Sequence, residues 1–165
     1  MSYGSLCTQQ MAFAHGLLSI GLPRAGRVGI WVEKCTEAVV ASFGAPAAGG
    51  VMVPMNPLLK PEQVMYVAQD CQARVLVTSP DRLALLSGVL GQSPSLEHVV
   101  LTAPLAKNID LPANIDVHLW TDLLHAPPRP AHRVIDTDIC AILYTSGSTG
   151  RPKGVVLSHR NMVAG

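Results

Sequence analysis

Charge and aromatic rings are both scarce in this chain: 14% of the 165 residues are charged, 4% are aromatic, and the formal net charge is +1. Without a basic patch or stripe it lacks the electrostatic footprint of a nucleic-acid or anionic-membrane binder, and no run of like charge is long enough to form a solvated tail. Long apolar runs are missing too. The best candidate, Met11 to Leu22, contains His15, has no cationic lead-in and is too short to span a bilayer. It reads as an amphipathic helix, and no membrane span is expected. The four cysteines, Cys7, Cys35, Cys71 and Cys140, contain no C-x-x-C pair, which is the usage of a reduced cytoplasmic protein. Cys71 and Cys140 stand in apolar surroundings without local groups that lower a thiol pKa, so they are expected in the core rather than as nucleophiles. His125 and His132 flank Pro127-Pro128-Arg129-Pro130 without metal-ligand spacing and read as solvated loop residues; no metal site is expected.

What the chain does have is 48% apolar residues, 14 glycines and 13 prolines. The pattern is α/β, with strands alternating with helices. In the first helix, Leu6, Met11, Ala14, Leu17 and Leu18 approximate one face. Arg27 to Val32 follows as a strand, then a helix from Thr36 towards Gly49. Pro46 is expected to kink that helix or end it near Gly44, because an interior proline removes a hydrogen bond and clashes with the preceding turn, at roughly 3 kcal/mol. Pro61 suits a first helical position and opens a helix through Cys71, and Arg74 to Thr78 and His98 to Leu101 are further strands. Asp116 to Trp120 reads as an edge strand inside a proline-rich excursion, and His125 to Arg133 as a surface spacer in polyproline-like conformation.

The densest chemistry lies in Tyr144-Thr145-Ser146-Gly147-Ser148-Thr149-Gly150-Arg151-Pro152-Lys153-Gly154. Glycines remove Cβ obstruction and permit positive φ, hydroxyls and backbone N–H groups donate, and Lys153 adds one cation directed by Pro152 on one side and Gly154 on the other. That combination suits a polyphosphate. The Walker A pattern does not fit, since it requires glycine before the lysine and a hydroxyl after it. Flanking runs Ile139 to Tyr144, expected as a buried strand, and Val155 to Leu157 place the loop between two strands. A helix is expected to begin near Ser158 to Asn161. His159, at that helix start, reads equally as a group near substrate and as a capping or packing residue.

The stretch Y-T-S-G-S-T-G-R-P-K-G-V-V-L-S-H-R-N resembles the phosphate-loop signature of the adenylate-forming (AMP-binding) superfamily of acyl-CoA synthetases, luciferases and nonribosomal-peptide adenylation domains. Nine fixed positions in T-S-G-S-T-G-x-P-K-G make the likeness specific. Ser2-Tyr3-Gly4-Ser5-Leu6 is similar to the family's opening motif, and Ala48 to Pro57 resembles its second core motif, so the likeness spans nearly the whole chain and is weakest from Ala103 to Arg133.

The resemblance implies an acyl-CoA ligase in which a carboxylic acid and ATP give an acyl-adenylate and pyrophosphate, and coenzyme A then captures the acyl group, in a setting such as fatty acid metabolism. A nonribosomal-peptide-type adenylation domain and a non-catalytic remnant are the alternatives. Thr145, Ser146, Gly147, Ser148, Thr149, Gly150 and Lys153 are the implied ATP-binding residues, with Mg²⁺ shared with a glutamate from a later motif. Family members run to several hundred residues, and their adenine motif, ribose-binding aspartate, hinge and C-terminal lysine have no counterpart in this sequence. Residues 1–165 are therefore expected to be the N-terminal part of an adenylation domain, without a certain catalytic residue of their own and inactive alone.

Overall fold

The computed structural model describes residues 2–145 and 151–165. Helix α1 (Tyr3–Ser19) opens on Ser2, whose hydroxyl accepts from the Ser5 N–H at 3.2 Å. It buries Phe13, Ala14, Gly16 and Leu17. Met11, expected on this face, is 44% exposed. The face is set by two contacts to α5 (Trp120–Leu124): Phe13 stacks on Trp120 with centroids 4.4 Å apart, and a Cβ on Gly16 would stand 2.6 Å from the Leu123 Cβ. Met11 lies two residues before Phe13, on the far side of a helix turning 100° per residue.

The remaining elements alternate. Strand β1 (Arg27–Trp31) leads to α2 (Thr36–Ala47), β2 (Val51–Pro54), α3 (Pro61–Asp70), β3 (Ala73–Thr78), α4 (Pro80–Leu86), β4 (His98–Leu101) and β5 (Asp116–Leu119), and beyond α5 lie β6 (Ile139–Thr145), β7 (Lys153–Ser158) and α6 (His159–Ala164). One seven-stranded sheet results, in the order β5-β4-β3-β1-β2-β6-β7. Every pairing is parallel except β6 with β7. β5 pairs with β4 at the sheet edge, as the sequence predicts.

Helices cover both faces, so the central strands are apolar on both sides. Side chains alternate accordingly: Val75 and Val77 of β3 join Phe13, Leu17 and Val40 under α1 and α2, whereas Leu76 joins Val64, Met65 and Leu83 under α3 and α4.

Proline does not end α2 at Gly44; the helix runs to Ala47 with Pro46 in its last turn. The C-terminus closes as a Schellman motif, with Gly49 at φ +82°, the Gly49 N–H on the Pro46 carbonyl at 2.9 Å and the Gly50 N–H on the Ala45 carbonyl at 2.9 Å. His132 also departs from expectation. It is partly buried, its Nε2 lies 2.9 Å from the Leu22 carbonyl, and its Cβ fills the space beside Gly49. The proline-rich segment is thus docked on the end of α1, helped by Arg129 N–H on His15 Nδ1 at 3.0 Å and Arg24 Nε on the Arg133 carbonyl at 3.2 Å.

A hairpin that presents a cation and a hydroxyl at its open end

β6 and β7 form an antiparallel hairpin from Ile139↔Ser158 at its base to Thr145↔Lys153 at its tip. Joined strands with the loop between them are the predicted arrangement. Thr145 and Lys153 are brought opposite one another, and Ser146, Gly147, Ser148, Thr149 and Gly150 lie outside the described residues. Lys153 is exposed and, among the described residues, enters no ion pair. A hydroxyl and an ammonium at one end make a donor set for an anion such as polyphosphate, not for a metal ion.

The hairpin is less buried than its composition predicts. Only Cys140 and Ala141 of β6 are buried, because β7 is a sheet edge whose Val155 and Val156 remain exposed. β6 meets β2 through a single register pair, Met52↔Ala141. Burial raises the Cys140 thiol and pushes Cys71 up to about 11, so neither is a thiolate at neutral pH.

Two tyrosines meet the hairpin's arms. The Tyr144 hydroxyl donates to the Asp70 carboxylate at the end of α3, and burial, reinforced by that carboxylate, drives its ionisation well above the ordinary phenol range. The Tyr66 hydroxyl lies 3.4 Å from the Pro152 carbonyl, a long hydrogen bond, and the Arg151 guanidinium stands 5.8 Å over the Tyr66 ring. Asp70, Tyr66 and Arg151 were not among the predicted site residues. The available signal was an aspartate closing a helix, where the macrodipole disfavours negative charge.

At the base, α6 starts where expected. Ser158 caps it, accepting from the Asn161 N–H at 3.2 Å while its own N–H donates to Asn161 Oδ1 at 3.0 Å. His159 is therefore not the cap. Its N–H donates to the Asp138 carbonyl at 3.0 Å, and its Nε2 is buried without a hydrogen-bond partner among the described residues. Arg24 forks onto Asp138 at 2.8 and 2.6 Å, and Arg160 onto Asp136 at 2.9 and 2.6 Å. The Ile135 N–H, then Arg24, hold the Asp138 carboxyl below its ordinary range.

Open parallel sheets usually bind ligands where strand order reverses, here beyond the ends of β1 and β3. That crevice is occupied by protein. Arg82 lies 4.6 Å over the Trp31 ring, donates to the Pro57 carbonyl at 2.8 Å and pairs with Glu33, while Thr78 Oγ1 closes on the Trp31 carbonyl at 2.9 Å. The hairpin tip is left as the candidate site. Among the described residues no helix is long and apolar enough to cross a membrane, and no group of three or more His, Cys, Asp and Glu is placed to hold a metal ion.

The AMP-binding enzyme family model matches residues 1–165, the whole of this α/β sheet and its helices. The chain belongs to that family. It is 31% identical over 165 residues to a crotonobetaine/carnitine–CoA ligase of Escherichia coli, matching 98% of this chain and 31% of that protein. The corresponding ligase of Citrobacter koseri is 30% identical over the same shares. Among solved structures, the anthranilate CoA ligase AuaEII in complex with anthranoyl-AMP superposes with a TM-score of 0.83 at 29% identity, covering 97% of this chain and 30% of that one. A mutant form of coronafacic acid ligase from Pectobacterium brasiliense shares the fold, with a TM-score of 0.82 at 19% identity over 99% of this chain and 31% of its own. The chain thus spans about a third of the length of the curated relatives it matches.

Proposed function

We propose that the β6–β7 hairpin is the polyphosphate-binding end of an ATP site in an AMP-forming acyl-activating enzyme of the CoA-ligase type. The observation that carries this is the register pair Thr145↔Lys153, which sets a hydroxyl and a cation, in no ion pair among the described residues, across the mouth of the loop. The CoA-ligase names of the relatives support the reaction class: a carboxylic acid and ATP give an acyl-adenylate and pyrophosphate, and coenzyme A accepts the acyl group.

In this reading Thr145, Ser146, Gly147, Ser148, Thr149 and Gly150 hold the β and γ phosphates, and Lys153 offsets charge as pyrophosphate leaves. These are electrostatic and positioning roles rather than covalent ones. Mg²⁺ would screen the phosphates, with its carboxylate ligand supplied from outside this donor set. The proposed setting is cytoplasmic.

Calorimetry with Mg²⁺-pyrophosphate and Mg²⁺-ATP tests the site. Binding that is lost in Lys153→Ala supports it, and equal affinity in that variant overturns it. ATP–pyrophosphate exchange with a panel of short, long and aromatic acids tests the acyl-activating reaction, and exchange dependent on an amino acid would instead favour a peptide-type adenylation domain.

A further inference from the structure

We propose that Asp70 and Tyr66, one turn apart on α3, are positioning residues that fix the spread of the phosphate loop's two arms: Asp70 through the Tyr144 hydroxyl on the β6 arm, Tyr66 through the Pro152 carbonyl and the Arg151 guanidinium on the β7 arm. The proposal rests on the functional reading above.

Three observations lead to it. Asp70 closes α3, where a negative charge is disfavoured by the macrodipole, and among the described residues Tyr144 is its hydrogen-bond partner. Each tether then falls one residue from a position that the functional reading assigns to phosphate: Tyr144 precedes Thr145, and Pro152 precedes Lys153. Finally, the hairpin needs an external support. It joins the sheet on one side only, where β6 lies beside β2 with Ala141 in register with Met52, and β7 is the free edge, whereas α3 is anchored on buried Val64, Met65, Val67 and Ala68.

Arg27 of β1 further fixes the end of α3, donating to the Cys71 carbonyl at 2.6 Å and the Gln72 carbonyl at 2.9 Å. The helix is therefore rigid relative to the sheet, and its Tyr66 and Asp70, at i and i+4, share a face. Between the tethers, the Tyr144 ring crosses Gly154, so movement of one arm is carried to the other.

The test uses the full chain in five forms: wild type, Tyr144→Phe, Asp70→Ala, their double variant and Asp70→Asn. Two readouts are taken on the folded protein: the rate of tryptic cleavage after Lys153 without ligand, followed by mass spectrometry, and the affinity for Mg²⁺-pyrophosphate. Tyr144→Phe and Asp70→Ala should each speed that cleavage and weaken pyrophosphate binding by about three- to ten-fold, the size of one ordinary hydrogen bond, since the tie lies at an exposed place. The double variant should be no worse than the worse single. Asp70→Asn, whose amide oxygen still accepts, should restore both readouts. Wild-type cleavage and affinity in the folded single variants, or additive losses in the double, would overturn the clamp. Should Asp70→Ala fail to fold, Tyr144→Phe and Asp70→Asn decide. Should wild type not bind pyrophosphate, the functional reading fails, and the cleavage rates still decide the clamp.

Discussion

Tyr144 lies directly across from Gly154, and its ring occupies the volume that a side chain at position 154 would need. A Cβ there would come within 2.8 Å of Ile142 Cγ2 and 3.2 Å of Tyr144 Cζ. Gly154→Ala should therefore destabilise the fold by about 1–3 kcal/mol, with Gly154→Val worse, because the hairpin must open to admit the atom. Denaturant midpoints check this. Midpoints unchanged for both would show that the ring moves aside freely.

Lys153 gives the opposite forecast. It is exposed and outside any ion pair among the described residues, so Lys153→Ala should leave unfolding free energy within about 0.5 kcal/mol of wild type. Pyrophosphate affinity should fall at least about ten-fold, as expected when a charge-assisted contact is removed. Calorimetry beside chemical denaturation separates the two effects. A variant that binds normally but unfolds early would make Lys153 a structural residue.

Much of the hairpin was legible because its signals are local. Apolar runs mark β6 and β7, a Ser-x-x-Asn pattern marks the α6 cap, and the loop's composition stands apart from its flanks. Met11, Pro46 and His132 were misread for the converse reason. The buried face of α1 is chosen by Trp120 and Leu123, more than a hundred residues away. Pro46 is accommodated in a last turn whose C-terminus Gly49 and Gly50 close, and His132 is drawn in by a carbonyl at Leu22 and the space beside Gly49. The tie from Asp70 to Tyr144 was invisible likewise, since only the parallel register of the sheet brings α3 beside β6.

Gly49 is constrained twice, by a φ of +82° and by the His132 Cβ, 2.6 Å from where its own Cβ would sit. Gly49→Ala should cost about 1 kcal/mol for the left-handed backbone and more for the contact. His132→Gly in the same chain should recover the second part and leave the first. Thermal unfolding of the two single variants and the double measures it, and full additivity would mean that the two positions do not touch.

His118 sets a pH dependence. Its Nε2 lies 3.2 Å from His98 Nδ1, and burial first, then His98, lowers its pKa, with Asp116 and Asp122 opposing. The unfolded chain thus takes up the proton more readily than the fold. This contribution to stability is complete above the ordinary value of about 6.5 and is lost as pH falls below it. Between pH 7.5 and 5.5 wild type should lose more stability than His118→Gln, as read from urea midpoints. Parallel losses would remove the imidazole from the account.

The single pair between β2 and β6 also bears on the order of assembly. β1 to β4 are joined by short crossovers, and β6 with β7 is a local hairpin, but Met52 and Ala141 are separated by most of the excursion through β3, β4 and β5. Closing so long a loop carries an entropic cost before the packing of β6 on β2 can offset it, whereas each half can organise from near neighbours. The hairpin should therefore join a sheet that has already formed, so that the pairing of Thr145 with Lys153 is set in its final surroundings only in the last step of folding.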